Sequence, residues 1–247
     1  MYETSPIFKQ PDNENIKVWR YMDFTKFVSF IESKHLYFAR ADKFEDPFEG
    51  SWPKLNVDAR QYYYDLSPEE RKNYIEIMGQ MSKNHPKNIF INCWHKNEHE
   101  SAAMWKLYLK SDEGIVIQST YQKLRESFID NEIINLGIVE YIDYETERID
   151  DDDMLSSFVH KRKSFEHEQE VRALVSKWSA FEKGPNFDIE TIAHGIPIKV
   201  DIEKLIENIY LAPNTPDWFS ALVKEIVKRY DYTFNVVHSK LDERPFF

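Results

Sequence analysis

Residues 166–172 read Glu-His-Glu-Gln-Glu-Val-Arg and are followed by alternating apolar residues. This pattern predicts a β-strand, in which side chains alternate between the two faces of a sheet. Val171 and its alternate neighbours would then pack on the core. The other face would set three carboxylates about 6–7 Å apart, with an arginine at the end of the row: Glu166, Glu168, Glu170 and Arg172.

Carboxylates that are this close raise one another's pKa unless cations lie between them. Cations are available, because Lys161 and Arg162 lie just upstream and Arg172 ends the row. They can form an ion-pair network or bind a phosphate-bearing ligand. Beside a bound ligand, Glu168 or Glu170 can act as a general base or stabilise a developing cation. The alternative is a solvent-exposed edge strand whose charges prevent aggregation, and both interpretations stay open.

Two further groups of residues have types that suit a binding site. Arg20 and Tyr21 come near the end of the first expected strand, where a long cationic side chain can reach a ligand. His95 and His99 are four residues apart and would share one face of a helix, which is a spacing that zinc ligands use. No second cluster of cysteine and histidine has ligand spacing, and the residues between the two histidines resemble a loop. We therefore expect a polar loop beside a buried Cys93, and no bound metal.

Hydrophobic periodicity and capping residues predict the elements that must position these side chains. Asp23 should cap a helix, and Ser67 with Glu70 forms a capping box before a helix that ends near Met81. Further helices are expected at 100–109, at 150–163 and after Pro216, with short helices after 119–120 and before 209. Strands are expected at 18–22, 36–39, 89–94, 114–118, 137–141, 166–172, 196–200, 209–212 and 233–237.

Strands and helices follow one another without regular alternation, which favours an α+β fold over a doubly wound α/β fold. We expect a single domain over residues 1–247, with a mixed, mostly antiparallel sheet flanked by short helices. The chain has only 6 glycines and no glycine-rich phosphate loop, which argues against the common Walker and Rossmann folds.

The bulk composition limits the class of protein. With 42% hydrophobic and 30% charged residues, the chain is typical of globular proteins. The net charge of −11 argues against general nucleic-acid binding, which needs Lys and Arg to neutralise phosphates, although it allows a local basic groove. One cysteine excludes an internal disulfide, and neither a secretory signal nor a run of about 18 apolar residues is present. We expect a cytoplasmic protein that does not act at a membrane.

Several of these segments occur in an order that resembles a known bacterial family. They are Arg20-Tyr21, 44–49, Met104-Trp105 with Tyr108, 114–117, and Lys161 ahead of 165–172. Together they resemble the bacterial domain of unknown function numbered twenty-nine seventy-one, over about residues 18–239. The resemblance implies a family that is often encountered near mobile and defence genes and has no established activity.

A second resemblance is to ADP-ribosyltransferases, which carry an Arg or His on the first strand, a Ser, Thr or Tyr on a middle strand and a Glu-x-Glu motif on a later strand. Arg20, Ser119 and the pair Glu168 and Glu170 occur in that order. The resemblance implies that Arg20 holds the phosphates of NAD and that Ser119 orders the nicotinamide pocket. It implies that Glu170 stabilises the oxocarbenium-like state at the ribose and that Glu168 orients the acceptor.

Three more residues complete the predicted cofactor contacts. Lys161 and Arg172 are included because cations suit a phosphate-bearing ligand, and Tyr21 because it adjoins Arg20. The chain departs from the family pattern at two points. Ser119 is followed by Thr120 without the usual Ser-Thr-Ser form, and Arg172 within the strand is not part of that pattern.

The sequence thus favours an ADP-ribosyltransferase-like, NAD-consuming effector of a bacterial defence or toxin system. Its expected partners are a nucleotide-type small molecule and a protein or nucleic-acid acceptor. Two alternatives stay open. One is a non-enzymatic ligand-binding or sensor module of a defence system, and the other is a metal-dependent nuclease that uses Lys161 with Glu168 and Glu170.

Overall fold

A computed structural model describes residues 2–3, 5–62, 65–109, 113–177 and 193–246. Within them, ten strands form one sheet and two short strands form a second. The strands are β1 (Tyr2–Glu3), β2 (Lys17–Asp23), β3 (His35–Arg40), β4 (Ile89–Lys96), β5 (Gly114–Thr120), β6 (Ile134–Ile138), β7 (Glu140–Ile142), β8 (His160–Arg162), β9 (Glu170–Ser176), β10 (Gly195–Lys199), β11 (Asn208–Leu211) and β12 (Asn235–His238).

Mostly short helices flank these strands. They are α1 (Phe24–Ser33), α2 (Lys54–Ala59), α3 (Pro68–Asn84), α4 (Ala102–Tyr108), α5 (Tyr121–Ser127), α6 (Ile202–Leu205) and α7 (Asp217–Arg229). Single 3-10 turns lie at Ala41–Lys43, Arg60–Tyr62, His85–Asn88, Met154–Phe158, Lys163–Glu168 and Lys240–Asp242. None of the helices in the described part of the chain has the length and apolar character needed to cross a bilayer.

The large sheet runs in the order β1-β6-β9-β4-β2-β5-β11-β12, and β3 and β10 branch from β4. The pairs β1 with β6 and β11 with β12 are parallel, and the other pairs of this sheet are antiparallel. The expected α+β fold with a mixed, mostly antiparallel sheet and short flanking helices is therefore confirmed.

The branch at β4 divides the sheet. One edge of β4 pairs with β9 from Ile89 to His95. The other edge pairs with β3 at Phe90 and Ile91, and with β2 at His95 and Lys96. Between these two short ladders, β2 and β3 diverge and leave a gap beside the middle of β4.

Side chains replace the missing backbone ladder in this gap. A guanidinium nitrogen of Arg20 donates to the carbonyl of Cys93, and Nδ2 of Asn92 donates to the carbonyl of Tyr37 at 2.8 Å. Buried backbone carbonyls need such partners, since an unpaired one costs about as much as a lost hydrogen bond. The fork in the sheet is therefore stabilised by polar side chains that point into the opening.

The main core lies on one side of the forked sheet. Phe27 and Ile31 lie four residues apart in α1, so they share the helical face that packs on this core. Val223 of α7 packs on the same core. Trp94 of β4 and Val171 of β9 are neighbours on the same side. The alternation predicted for Val171 and its alternate neighbours is confirmed, because Val171, Ala173 and Val175 all contribute to this core.

Local capping signals give correct helix starts. Asp23 accepts a hydrogen bond from the backbone N–H of Lys26 at 2.8 Å and begins α1. Ser67 and Glu70 form the expected capping box at the start of α3. Thr120 accepts from the N–H of Lys123 at 3.1 Å and begins α5. These helices were predictable because each signal lies within four residues of the boundary it sets.

The helix expected at 150–163 is wrong. Asp153 instead caps the 3-10 turn Met154–Phe158, and His160–Arg162 follows as β8 in parallel pairing with β7. The acids and bases that suggested a helix dipole are used differently: Arg162 and Lys161 make tertiary ion pairs, while Arg148 pairs with Asp151. Tertiary pairing has overridden the local charge pattern.

The strand expected at 166–172 begins too early. Glu166 and Glu168 lie in a 3-10 turn, and Gln169 has a left-handed φ of 41° that ends it. Strand β9 starts at Glu170, so the row of three carboxylates on one strand face does not exist. Only Glu170 and Arg172 share that face. The solvated-edge interpretation is also wrong, because β9 lies between β4 and β6.

The strand expected at 137–141 is interrupted. It is divided between β6 and β7, and Val139 lies between them. The backbone N–H of Val139 donates to the carbonyl of Glu170 at 3.0 Å, and that of Glu140 donates to the carbonyl of Val159 at 2.9 Å. The chain therefore leaves the large sheet after β6 and enters the small one.

Gly50 provides a test of how tightly the loop 44–50 is held. Its φ is +70°, and an added Cβ would lie 2.3 Å from the ring of Phe158. We expect Gly50→Ala to lower the free energy of unfolding by about 2–4 kcal/mol, through left-handed strain and overpacking. The matched control is Gly79→Ala in α3, where the new Cβ would meet no described atom within 4 Å apart from its chain neighbours and the adjacent helix backbone. It should raise stability by about 0.5–1 kcal/mol. Urea unfolding measures both changes, and equal effects of the two substitutions would contradict the account.

Candidate functional site

The centre of the site is a buried arginine. The side chain of Arg172 is fully buried, and its two terminal nitrogens bind the carboxylate of Glu49 at 2.7 and 2.9 Å. Its Nε donates to Glu170, and Nη1 also donates to the carbonyl of Phe158 at 2.7 Å. A fork-to-fork pair of this kind fixes both position and orientation. Arg172 therefore sets the position of Glu170 without reaching the surface.

Lys161 extends the network in the other direction. Its ammonium group is 3.0 Å from Glu170 Oε1 and forms a second, shorter contact with Glu168. The ammonium also lies 4.5 Å from the centre of the Phe165 ring. Since Lys161 is buried, these contacts replace the water that it would otherwise bind. Glu168 and Glu170 are thus held on one cation although they lie on a turn and a strand, respectively.

Electrostatics separate the roles of the two glutamates. Burial alone would raise the pKa of Glu170, but the charges of Arg172 and Lys161 hold it below its ordinary value. Burial raises the pKa of Glu168, and the neighbouring Glu170 carboxylate adds to this, which brings it to about 7. Glu170 is therefore ionised at neutral pH, while Glu168 titrates there. Pairs whose pKa values are pushed apart in this way can divide acid–base roles.

Charge counting indicates that this network favours one bound proton. The network contains the three carboxylates of Glu49, Glu168 and Glu170 and the two cations of Lys161 and Arg172. With all groups ionised it carries one excess negative charge. A proton on Glu168, the most accessible of the three carboxylates, makes the cluster neutral.

The loop 44–50 supplies the counter-charge behind Glu170. Asp46 Oδ1 accepts from the N–H of Phe48 at 3.0 Å and from Arg162 at 2.6 Å. The first contact is the usual bond of an Asp side chain to the backbone of a turn, and the second connects the loop to β8. Glu49 follows and reaches Arg172, while Gly50 has the positive φ that closes the loop. No local pattern in the sequence indicates that Glu49 is the partner of Arg172.

A cleft of about 790 Å³ opens over this network. Its walls come from β2, β3, β4, α1 and α4, so it occupies the fork of the sheet. Five of the predicted site residues line it: Arg20 and Tyr21 on the β2 side, and Lys161, Glu168 and Glu170 on the opposite side. Tyr37, Leu107 and Tyr108 also line the cleft and are at least half exposed.

Arg20 is the cation in the cleft that lacks a counter-ion. It is half-buried, it donates to the Cys93 carbonyl, and no carboxylate of the described residues pairs with it. Burial lowers the pKa of Arg20, which is the expected effect of partial desolvation without an anionic partner. A guanidinium that is held in place but retains unused donors suits a phosphate or pyrophosphate ligand.

Aromatic rings form the wall next to Arg20. The hydroxyl of Tyr21 accepts from the N–H of Ser101 at 2.8 Å, which fixes the ring. Tyr21 stacks against Tyr108 with ring centres 6.2 Å apart and meets Trp105 edge-on at 5.0 Å. Met104 and Trp105 are core residues, whereas Tyr108 is half exposed and available to a flat ligand.

Two predicted contacts lie outside the cleft. Ser119 is fully buried on β5, and its hydroxyl donates to the carbonyl of Leu205 at 2.5 Å. It is therefore not among the residues that line the cleft, and the predicted role in a nicotinamide pocket does not fit its position. Arg172 lies behind Glu170 and has no exposed surface, so its guanidinium does not reach the cleft.

The zinc hypothesis does not fit the geometry. His95 lies on β4 and not on a helix, so it does not share a helical face with His99. Within the described residues, the one acidic or His/Cys group with metal-ligand geometry is the largely exposed run Asp150–Asp152, which does not line the cleft. The expectation that no metal is bound stays a prediction.

Comparisons with known proteins give weak likenesses only. No family model and no curated protein matches the chain, so the resemblance to family twenty-nine seventy-one stays a prediction. Solved structures of Thermus sp. 2.9 DarT are similar over nearly all of both chains. The complex with ADP-ribosylated ssDNA has 9% identity and a TM-score of 0.41 over 95% of this chain and 98% of the other. The complex with NAD+ has 8% sequence identity and a TM-score of 0.42, over 94% of this chain and 99% of the other. Likenesses at this level do not establish a shared reaction.

The ionisation of Glu168 makes a testable prediction for stability. Its pKa rises from 4.5 to about 7 on folding, so its contribution to stability is present below about pH 4.5 and is lost as the pH rises towards 7. Because Gln does not ionise, Glu168→Gln removes this pH-dependent loss of stability. The stability of the variant relative to the unmodified protein should therefore increase by about 1–3 kcal/mol between about pH 4 and pH 8. Urea unfolding across this range measures it, and a difference that is constant or shrinks with pH would contradict the assignment.

Proposed function

We propose that the chain is an NAD-consuming ADP-ribosyltransferase and that the forked-sheet cleft is its NAD site. The proposal rests on two groups that line the same cleft. One is the buried, ionised carboxylate of Glu170, and the other is the guanidinium of Arg20, which is fixed by a hydrogen bond and has no counter-ion among the described residues. A carboxylate suits a developing positive charge, and the guanidinium suits a pyrophosphate. NAD contains both features, since its ribose C1′ develops positive charge on cleavage and its centre is a pyrophosphate.

The proposed reaction breaks the bond between ribose C1′ and the nicotinamide nitrogen. The bonding pair leaves with nicotinamide, and the ribose becomes oxocarbenium-like. Glu170 stabilises this charge because Arg172 and Lys161 keep it ionised and fixed before the substrate arrives. The nucleophile of the acceptor then forms a bond to C1′ and loses a proton. Glu168 can take that proton, since its pKa lies near neutral pH.

The remaining groups bind and orient the dinucleotide. Arg20 contacts the pyrophosphate, while Tyr21 and Tyr108 offer aromatic surface for a flat ring. Lys161 is paired with both glutamates and therefore positions them instead of binding phosphate itself.

The proposal includes a protein or nucleic-acid acceptor and a role in a bacterial toxin or defence system. The DarT structure is a complex with ADP-ribosylated ssDNA, and nucleic acid is one of the acceptor classes to assay for this chain.

A non-enzymatic ligand-binding module is the second candidate. It is favoured by the complete pairing of Glu170, whose two oxygens are occupied by Lys161 and Arg172. A carboxylate so neutralised can serve structure alone, with the cleft binding a ligand that it does not change. A metal-dependent nuclease has no such support, because cations of the protein already occupy the carboxylates that would hold the metal.

Two substitutions test the proposal. Glu170→Gln should lower NAD consumption by at least about 100-fold, because the stabilising charge is lost. Arg20→Gln should raise KM for NAD by about 10-fold or more, the usual cost of a charge-assisted hydrogen bond, with a smaller effect on kcat. The matched control is Glu207→Gln, an exposed glutamate paired with Lys123 away from the cleft, which should leave both constants unchanged. Thermal unfolding confirms that each variant is folded.

The outcomes separate the candidate functions. NAD that is consumed in the presence of a chelator, with loss in Glu170→Gln, supports the transferase. NAD that binds in an Arg20-dependent manner but is not consumed supports the binding module. A protein that neither binds nor consumes NAD contradicts the proposal. Arg20→Gln keeps the test decisive if Glu170→Gln fails to fold, because Arg20 lies outside the buried ion network.

A further inference from the structure

His95 is a buried titratable group in the cleft that the proposed mechanism does not use. It lies on β4 with 7% of its surface exposed and contributes to the cleft wall. One ring nitrogen, Nδ1, lies 2.6 Å from the backbone carbonyl of Glu168. The other, Nε2, is shielded from water and has no hydrogen-bond partner among the described residues.

The contact with Glu168 defines the protonation of the ring. A carbonyl oxygen can only accept, so Nδ1 carries the proton and donates it. Burial lowers the pKa of His95, which keeps the imidazole neutral. Nε2 therefore presents a lone pair, and His95 is a hydrogen-bond acceptor at this position.

An acceptor in such a position favours a ligand with a donor. A buried polar atom that lacks a partner destabilises the unliganded protein, and most buried polar atoms in proteins are paired. Because Nε2 has almost no accessible surface, a ligand N–H or O–H reaches it only when the neighbouring side chains move aside, and it then recovers this loss without competition from water. A ligand without a donor leaves the lone pair unsatisfied.

The position of His95 indicates which part of NAD carries the donor. His95 is directly opposite Glu170 in the antiparallel ladder of β4 and β9, so the two side chains lie on the same face of the sheet. Glu170 is proposed to face ribose C1′, to which the nicotinamide ring is attached. The carboxamide of that ring is the donor group nearest to C1′ on the base, whereas the amino group of adenine lies at the other end of the dinucleotide.

We propose that His95 is a specificity-determining residue of the NAD site, whose Nε2 accepts a hydrogen bond from the carboxamide NH2 of nicotinamide. This inference rests on the proposed function. The same imidazole holds the turn that carries Glu168, through Nδ1. A donor at Nε2 polarises the ring and strengthens the bond at Nδ1, as in other chains of hydrogen bonds. Recognition of the amide is thus connected to the position of Glu168.

The test compares NAD with its 3-acetylpyridine analogue, which replaces the amide NH2 by a methyl group and is equally charged. The measurement is kcat/KM for each dinucleotide with the unmodified protein, His95→Leu and His95→Gln. The quantity compared is the ratio of the two constants for one preparation, so that the folded fraction cancels. Differences in leaving-group reactivity between the dinucleotides are common to all three proteins and cancel in the comparison of ratios.

The expected result is that His95→Leu lowers the ratio, NAD over analogue, by about 10-fold relative to the unmodified protein. His95→Gln should recover part of the ratio, because its amide oxygen can accept from the ligand. Equal losses for the two dinucleotides in His95→Leu would overturn the inference, since they would indicate that His95 only supports the turn or binds a ribose hydroxyl. If the unmodified protein binds and consumes neither dinucleotide, the proposed function fails first, and this inference fails with it.

Discussion

The guanidinium of Arg172 has no access to water, and the rest of the site depends on how its charge is compensated. Removing one partner from a buried ion pair costs about 3–5 kcal/mol, so a position of this kind demands partners that are held in place. Glu49 and Glu170 provide them from opposite directions. The loop 44–50 must therefore fold back against β9. Glu170 is consequently ionised and immobile before any ligand binds.

The forked sheet adds the second constraint. One edge of β4 pairs with β3 along its first part and with β2 at its end. The backbone carbonyls in the gap between these two ladders need donors that backbone pairing cannot supply. Arg20 satisfies the carbonyl of Cys93 and retains donors for a ligand. The opening that separates the branches is also the cleft, so one topological feature creates the cavity and places a cation within it. The buried network contributes the negative side of the same cavity, and the two halves suit a ligand with anionic and cation-forming parts.

Local features of the sequence predicted most elements of the fold. Capping residues such as Asp23 and Ser67 act within one turn, and the apolar alternation after Glu170 identifies the buried face of β9. The errors occurred where distant residues decide. The charge pattern at 150–163 resembled a helix, but β7 recruits part of it as a strand. The left-handed residue Gln169 interrupts the glutamate run, and an ordinary Gln gives no sign of this in the sequence.

The composition of the site was predictable only in part. Arg20, Lys161, Glu168 and Glu170 were identified by type and order, and their convergence follows from β4 lying between β2 and β9, which no local pattern contains. Glu49 and His95 have meaning only through contacts across the fold, with Arg172 and Glu168 respectively. Ser119 was selected by order along the chain alone, and order does not determine which strands border an opening.

The proposed NAD site requires one dinucleotide to span the fork between Arg20 and Glu170. A crystal structure of Glu170→Gln with NAD tests this most directly, because the substitution slows consumption and replaces a single side-chain atom of the cleft wall. The account predicts the pyrophosphate within hydrogen-bonding distance of the Arg20 guanidinium and ribose C1′ next to the side chain of residue 170. NAD bound elsewhere, or bound in the cleft without a contact to Arg20, would contradict it.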